Sequence, residues 1–273
     1  MKLCFNQATT LRNSTLALDL ALCEKTGFDF IEIRLDKLKE YLKDHTVADL
    51  TAFFASAHLK PYSFNALEFI SFRDEAGNTE IADGLRFCCE VGAAIGCDKT
   101  VVVPTFDVGP RSKAEIKEET VRALRALADI AAPYGMRLAF EFVGYPNCSV
   151  NTLEQACDIV TAADRENVGL VLDCFHFHAM NSRWEALEAL DPAKLFIFHL
   201  DDAEDLPVGA LRDDKRLWPG EGAVDFARIF AILQAKGYDE MASVELFRPA
   251  YWDMDAAACI KTAFEKTKAV LGG

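Results

Sequence analysis

Arg137-Leu138-Ala139-Phe140-Glu141 is a short apolar run that ends on a carboxylate, and the same design appears three more times further along the chain. The others are Val168-Gly169-Leu170-Val171-Leu172-Asp173, Leu195-Phe196-Ile197-Phe198-His199 and Ala242-Ser243-Val244-Glu245. A run of this length without polar alternation reads as a parallel strand buried on both faces. Parallel strands need long crossovers, usually helical. Segments with helical spacing of apolar residues lie between these runs, at Leu153–Ala162 and Ala223–Lys236, and before them at Leu16–Glu24 and Glu118–Ile130.

Working outward, the full set of expected strands is Leu3–Asn6, Phe30–Arg34, Tyr62–Asn65, Thr100–Pro104, Leu138–Val143, Gly169–Cys174, Leu195–Leu200 and Ser243–Phe247. A last helix from about Met254 to Leu271 would cover the final strand. Gly27, Gly96, Gly135 and Gly237 stand where helices should stop before a strand, a position that favours the left-handed backbone of glycine. Strict strand–helix alternation implies an α/β fold with a parallel sheet, and eight such units are the number that closes a (β/α)8 barrel. The segment Asp36–His58 contains a possible break at Asp44-His45-Thr46, and the sixth helix, Arg183–Leu190, is short. No Pro/Gly/Ser-rich linker or charge run divides the chain, so residues 1–273 are expected to form one barrel domain. A length of 273 residues suits that reading, since such barrels typically need about 250.

Composition narrows the function. The net charge of −14 and the lack of a basic stripe argue against nucleic acid or an anionic membrane as partner. No stretch approaches the roughly 20 apolar residues needed to cross a bilayer, and Met1-Lys2-Leu3-Cys4-Phe5-Asn6 turns polar too soon for a signal peptide. Nine scattered cysteines without a Cys-x-x-Cys pair read as reduced thiols of a cytoplasmic protein. A homo-oligomer is left open. Gly-x-Gly-x-x-Gly, Gly-Lys-Ser/Thr and Gly-x-Ser-x-Gly are all absent, which removes dinucleotide, phosphate-loop and serine-hydrolase chemistry.

Glu141, Asp173, His199 and Glu245 end four successive strands, and a barrel gathers the carboxyl ends of its strands around one pocket. Three hard carboxylates and one imidazole suit a divalent metal such as manganese, cobalt or zinc better than a cysteine-rich structural zinc site would. Beyond Asp173, His176 and His178 are expected in a loop, with His176 approaching the metal or a substrate oxygen and His178 packing between aromatic neighbours. Cys148 and Cys174 lie near the set but are not expected to be ligands. The loop Asp213–Gly222 offers the planar donor fork of Arg216 and the apolar wall of Trp218. Asn65 ends the third strand. Glu32 and Arg34 end the second and point the same way, so they either pair across the pocket floor or contact substrate.

These residues, together with Phe30-Ile31-Glu32-Ile33-Arg34, Leu138-Ala139-Phe140-Glu141-Phe142-Val143-Gly144, Phe175-His176-Phe177-His178-Ala179-Met180 and Ser243-Val244-Glu245-Leu246-Phe247-Arg248-Pro249, resemble the xylose-isomerase-like barrel superfamily over essentially the whole chain. The resemblance implies one divalent ion held by Glu141, Asp173, His199 and Glu245. It implies that Glu141 and Glu245 form the acid/base pair and that His176 and Arg216 hold substrate oxygens, with Asn65, Trp218 and Glu32 as further substrate contacts. The implied activity is isomerisation of a small polyhydroxylated ketone in inositol catabolism, 2-keto-myo-inositol to 1-keto-D-chiro-inositol, by proton transfer through an enediolate. A ketose 3-epimerase or an inosose dehydratase is the alternative on the same centre. A nuclease of this superfamily would need more than the five histidines present.

Overall fold

In the computed structural model, which describes residues 1–272, the apolar runs pair as parallel strands: β1 (Lys2–Asn6), β2 (Phe30–Arg34), β3 (Lys60–Leu67), β4 (Lys99–Val102), β5 (Arg137–Glu141), β6 (Val168–Asp173), β7 (Leu195–His199) and β8 (Met241–Val244). Each strand pairs with its sequence neighbour, and β1 pairs with β8, so the expected barrel closes. Closure sets Cys4 beside Ser243 and Phe5 beside Val244.

The helices form where their spacing and caps direct. Ser112 and Glu115 make a reciprocal capping box at the start of helix Lys113–Ala131, satisfying two of the free amides of its first turn. The four expected helix-stopping glycines take left-handed φ values between 67° and 98°. The break in the second unit is real: helix Leu35–Tyr41 ends, and Thr46 caps a separate helix Val47–Ser56.

Two local differences matter for the site. His176 and His178 lie in a short helix, Cys174–Ala179, rather than a loop, because the Asp173 carboxylate accepts the His176 amide at 2.6 Å and starts the turn. After β7, Asp202–Ala203 pairs antiparallel with Arg216–Leu217. The buried Asp202 carboxylate then accepts the amides of Gly220, Gly222 and Val224 at 3.0, 2.7 and 3.0 Å. One carboxylate therefore shapes the loop that carries Arg216 and Trp218. All nine cysteines are free thiols. No helix among the described residues is long and apolar enough to cross a membrane.

Candidate metal centre

Glu141, Asp173 and His199 are the last residues of β5, β6 and β7, and Glu245 follows β8 by one residue. Strand register puts Asp173 directly beside His199, and His199 beside Ser243. His199 Nδ1 lies 3.1 Å from Glu141 Oε1, 3.1 Å from Glu245 Oε2 and 3.6 Å from Asp173 Oδ2. One ligand atom from each of the four residues falls within 4.8 Å of all the others, and all four residues are buried.

Three carboxylates this close repel one another. Burial, then the neighbouring Glu245 carboxylate, push the Glu141 carboxyl up to about 8, with His199 opposing. Burial also acts on Asp173, but the charges of Arg216 and His176 outweigh it and hold that carboxyl well below its ordinary value. Burial disfavours a charged His199 ring, yet Glu245 and Glu32 outweigh it and hold the ring's pKa well above the usual one. The set concentrates negative charge on one point, and its three oxygens and one nitrogen are the donor types that suit a divalent cation.

The second strand supplies the support. Glu32 Oε1 lies 3.0 Å from His199 Nε2, and the same carboxylate accepts from Ser63 Oγ at 2.6 Å, from Asn6 Nδ2 at 3.2 Å and from Ser243 Oγ. It is fully buried and its lone pairs are taken. The expectation that Glu32 contacts substrate is therefore corrected: it sits beneath the centre. A proton held on Nε2 by Glu32 leaves Nδ1 as the free ligand nitrogen, the arrangement common around metal-binding histidines. Nor does Arg34 pair with Glu32; its Nε binds Asp36 at 3.0 Å.

Asn65, expected to touch substrate, donates to Glu245 Oε1 at 3.0 Å, alongside Asn6 at 2.9 Å. Two amides thus hold one oxygen of Glu245 and aim the other at His199. Arg216 is buried in the same cluster. Its Nη1 donates to Asp173 at 2.8 Å, to the Glu245 carbonyl at 3.1 Å and to Asp201; its Nε donates to Asp213 at 3.0 Å, and its Nη2 is 3.0 Å from His176 Nε2. Trp218 does not offer a free wall. It is 5% exposed and stacks on Tyr251 at 4.2 Å between ring centroids.

Sequence reasoning missed Asp201, Asn6, Ser63 and Ser243. Asp201 had a readable signal: it is two residues beyond His199, and a continuing strand turns such residues to the same side. A groove of about 720 Å³ lies elsewhere, between helices Leu153–Ala163 and Trp184–Ala189, and none of the four converging residues lines it. Donor chemistry, rather than cavity size, locates the site.

A closed eight-stranded barrel with this centre defines a class, and the chain belongs to the xylose isomerase-like TIM barrel family, whose model matches residues 20–268. Among its relatives, the inosose isomerase of Bacillus velezensis is 52% identical, covering 99% of this chain and 97% of the relative. The inosose isomerase of Bacillus subtilis is 50% identical, covering 98% of this chain and 96% of the relative. The crystal structure of an IOLI protein with a bound zinc atom superposes with a TM-score of 0.97 at 50% identity, covering 99% of this chain and 98% of that one.

Proposed function

We propose that the chain is a metal-dependent isomerase that interconverts 2-keto-myo-inositol and 1-keto-D-chiro-inositol in inositol catabolism, with residues 1–273 working as one unit. The observation that carries this reading is half identity to inosose isomerases over nearly the full length of both chains. Neither a ketose 3-epimerase nor an inosose dehydratase is favoured, because the relatives at that level of identity are isomerases. The free and mostly buried cysteines suit a cytoplasmic enzyme.

Glu141, Asp173, His199 and Glu245 would hold the divalent ion, with zinc favoured over manganese or cobalt by the zinc atom in the similar IOLI protein. Such an ion supplies Lewis acidity toward a ketone and its neighbouring hydroxyl. The protein's own groups do the rest. Glu141 Oε1 is engaged by His199 while its other oxygen accepts no hydrogen bond from the described residues, so that oxygen is free to take a proton from the hydroxyl-bearing carbon. Glu245, aimed by Asn6 and Asn65, faces the same space and returns a proton to the former carbonyl carbon. Glu245 starts protonated to supply that proton, the hydroxyl proton passes to the former carbonyl oxygen, and exchange with water resets the two glutamates. The ketone thus moves to the adjacent carbon through an enediol with no net loss or gain of atoms. Arg216 and His176 stand beside the pair to bind substrate oxygens.

Glu32→Gln is expected to weaken zinc binding about 10–100-fold, because glutamine can present an amide donor to Nε2 and release the ring from its tautomer. Competition against a chromophoric chelator measures this; an unchanged affinity would show that Glu32 exerts no hold on His199. The function itself is tested by loading the protein with zinc, manganese or cobalt and following 2-keto-myo-inositol and several ketohexoses by NMR. Conversion of a ketohexose without conversion of the inosose overturns the proposal. In heavy water, deuterium at carbon in the product rules out a strict hydride shift.

A further inference from the structure

We propose that Tyr145 is a substrate-binding residue whose hydroxyl bonds a ring hydroxyl of the cyclitol on the side remote from the ketone. The assignment rests on the isomerase reading above for the identity of the ligand. Its physical basis is independent of that reading.

The Tyr145 hydroxyl is buried and has no hydrogen-bond partner. Buried tyrosine hydroxyls usually find one, and an unpaired buried polar atom destabilises the fold that holds it. Among the described residues seven buried side-chain atoms lack a partner, and three of them, on Tyr145, His176 and Asp201, belong to this one site. All three groups surround Arg216. Arg216 meets His176 and Asp201 directly. Burial first, then the charge of Asp213, raise the pKa of the Tyr145 hydroxyl, and Arg216 lowers it. The Asp213 carboxylate stands near enough to act as a weak acceptor toward the hydroxyl but outside hydrogen-bond geometry, and it is already engaged by Arg216 Nε at 3.0 Å. A polyol entering here would meet an unused hydroxyl beside a guanidinium and a carboxylate.

The ring is also fixed in place. Its edge meets His176 at 5.5 Å and 89°, and the Arg212 guanidinium lies 5.0 Å from its centroid. Phe106 packs against it at 6.2 Å and is itself met by Phe69 at 5.7 Å. The Tyr145 carbonyl accepts from Cys148 N at 3.0 Å and from Asn151 Nδ2 at 3.0 Å. Just before it, Gly144 lies so close to the following helix that an added Cβ would come within 2.5 Å of the His176 carbonyl oxygen. Asp107, with a left-handed φ of 51°, donates its amide to the Asn147 carbonyl at 2.9 Å and braces the loop from the β4 side. A backbone held by a close glycine contact and a left-handed non-glycine residue over-determines a side chain whose polar tip has no partner in hydrogen-bond geometry. Such strain tends to collect at functional sites.

Tyr145→Phe removes only the hydroxyl and keeps the ring packing. In zinc-loaded enzyme the expected result is a KM for 2-keto-myo-inositol raised about three- to tenfold with kcat nearly unchanged, the mark of a lost uniform binding contact. A series of monodeoxy inososes then identifies the partner. For the analogue lacking the contacted hydroxyl, wild type and variant have equal kcat/KM, while the other analogues keep the gap. A variant indistinguishable from wild type on the parent substrate overturns the proposal, as does a gap that persists across every analogue. The latter outcome, with a lowered Tm, would mean a structural role. Calorimetry with myo-inositol reports the same contact without turnover. Weaker binding by the variant supports it, and equal binding overturns it even if the wild-type enzyme proves to act on a different ketone.

Discussion

Glu245→Gln lowers kcat by at least about 10³-fold while the fold persists. Glutamine keeps a carbonyl oxygen where Asn6 and Asn65 donate at 2.9 and 3.0 Å, so the side chain stays in place. What changes is the other atom. Glu245 Oε2, 3.1 Å from His199 Nδ1 and 3.5 Å from Arg216 Nη1, becomes an uncharged NH₂. The variant loses the group that returns a proton to the former carbonyl carbon, and positioned proton transfer typically contributes a factor of about 10²–10⁴. It also loses one of three negative charges facing the proposed ion. NMR assay of 2-keto-myo-inositol at saturating zinc measures the effect. A variant that keeps more than a tenth of the wild-type rate would remove Glu245 from the acid/base pair.

Arg216→Leu destabilises the metal-free protein by about 3–5 kcal/mol, because it strips the counter-charge from carboxylates that have no access to water. Asp173 and Asp201 are both fully buried, and both bond the guanidinium. Burial and the Asp173 charge already hold the Asp201 carboxyl well above its ordinary value, so without Arg216 it takes up a proton, which limits the loss. Arg216→Lys restores little, since one ammonium cannot span Asp173, Asp201, Asp213 and His176 as a planar fork does. The pH dependence has a definite sign. In the folded wild type the Asp173 carboxyl is depressed, with Arg216 the chief charge opposing burial, so its contribution is present above its unfolded value of about 3.9 and is lost as pH falls through the folded value. The gap between wild type and Arg216→Leu is therefore widest near neutrality and narrows below pH of about 4. Urea unfolding across that range decides it; a gap under about 1 kcal/mol at neutral pH would place the charge balance elsewhere.

The strands and the converging set are legible in the amino-acid sequence because both are local patterns. Leu195-Phe196-Ile197-Phe198 can only be a doubly buried strand, and the residue that ends it must lie at the carboxyl rim of a parallel sheet. Helix caps are readable for the same reason: Gly27 and Gly96 sit where a left-handed residue is needed. The roles around the set are not legible. Glu32 and Asn65 have the residue types of substrate contacts, yet one props His199 and the other aims Glu245.

What the sequence alone determined was the eight-unit alternation and the identity of the four converging residues, since strand period and ligand type are written in contiguous letters. What only the tertiary structure decided was which polar groups are spent on one another. Asn6 meets Glu245 across 239 positions and Ser243 meets Glu32 across 211, contacts created when β1 closes on β8. Closure forces buried polar atoms to find partners or wait for a ligand, and no run of neighbouring residues encodes which of the two each will do. Tyr145, with nothing in its own stretch to mark it, is one that the closed barrel leaves waiting.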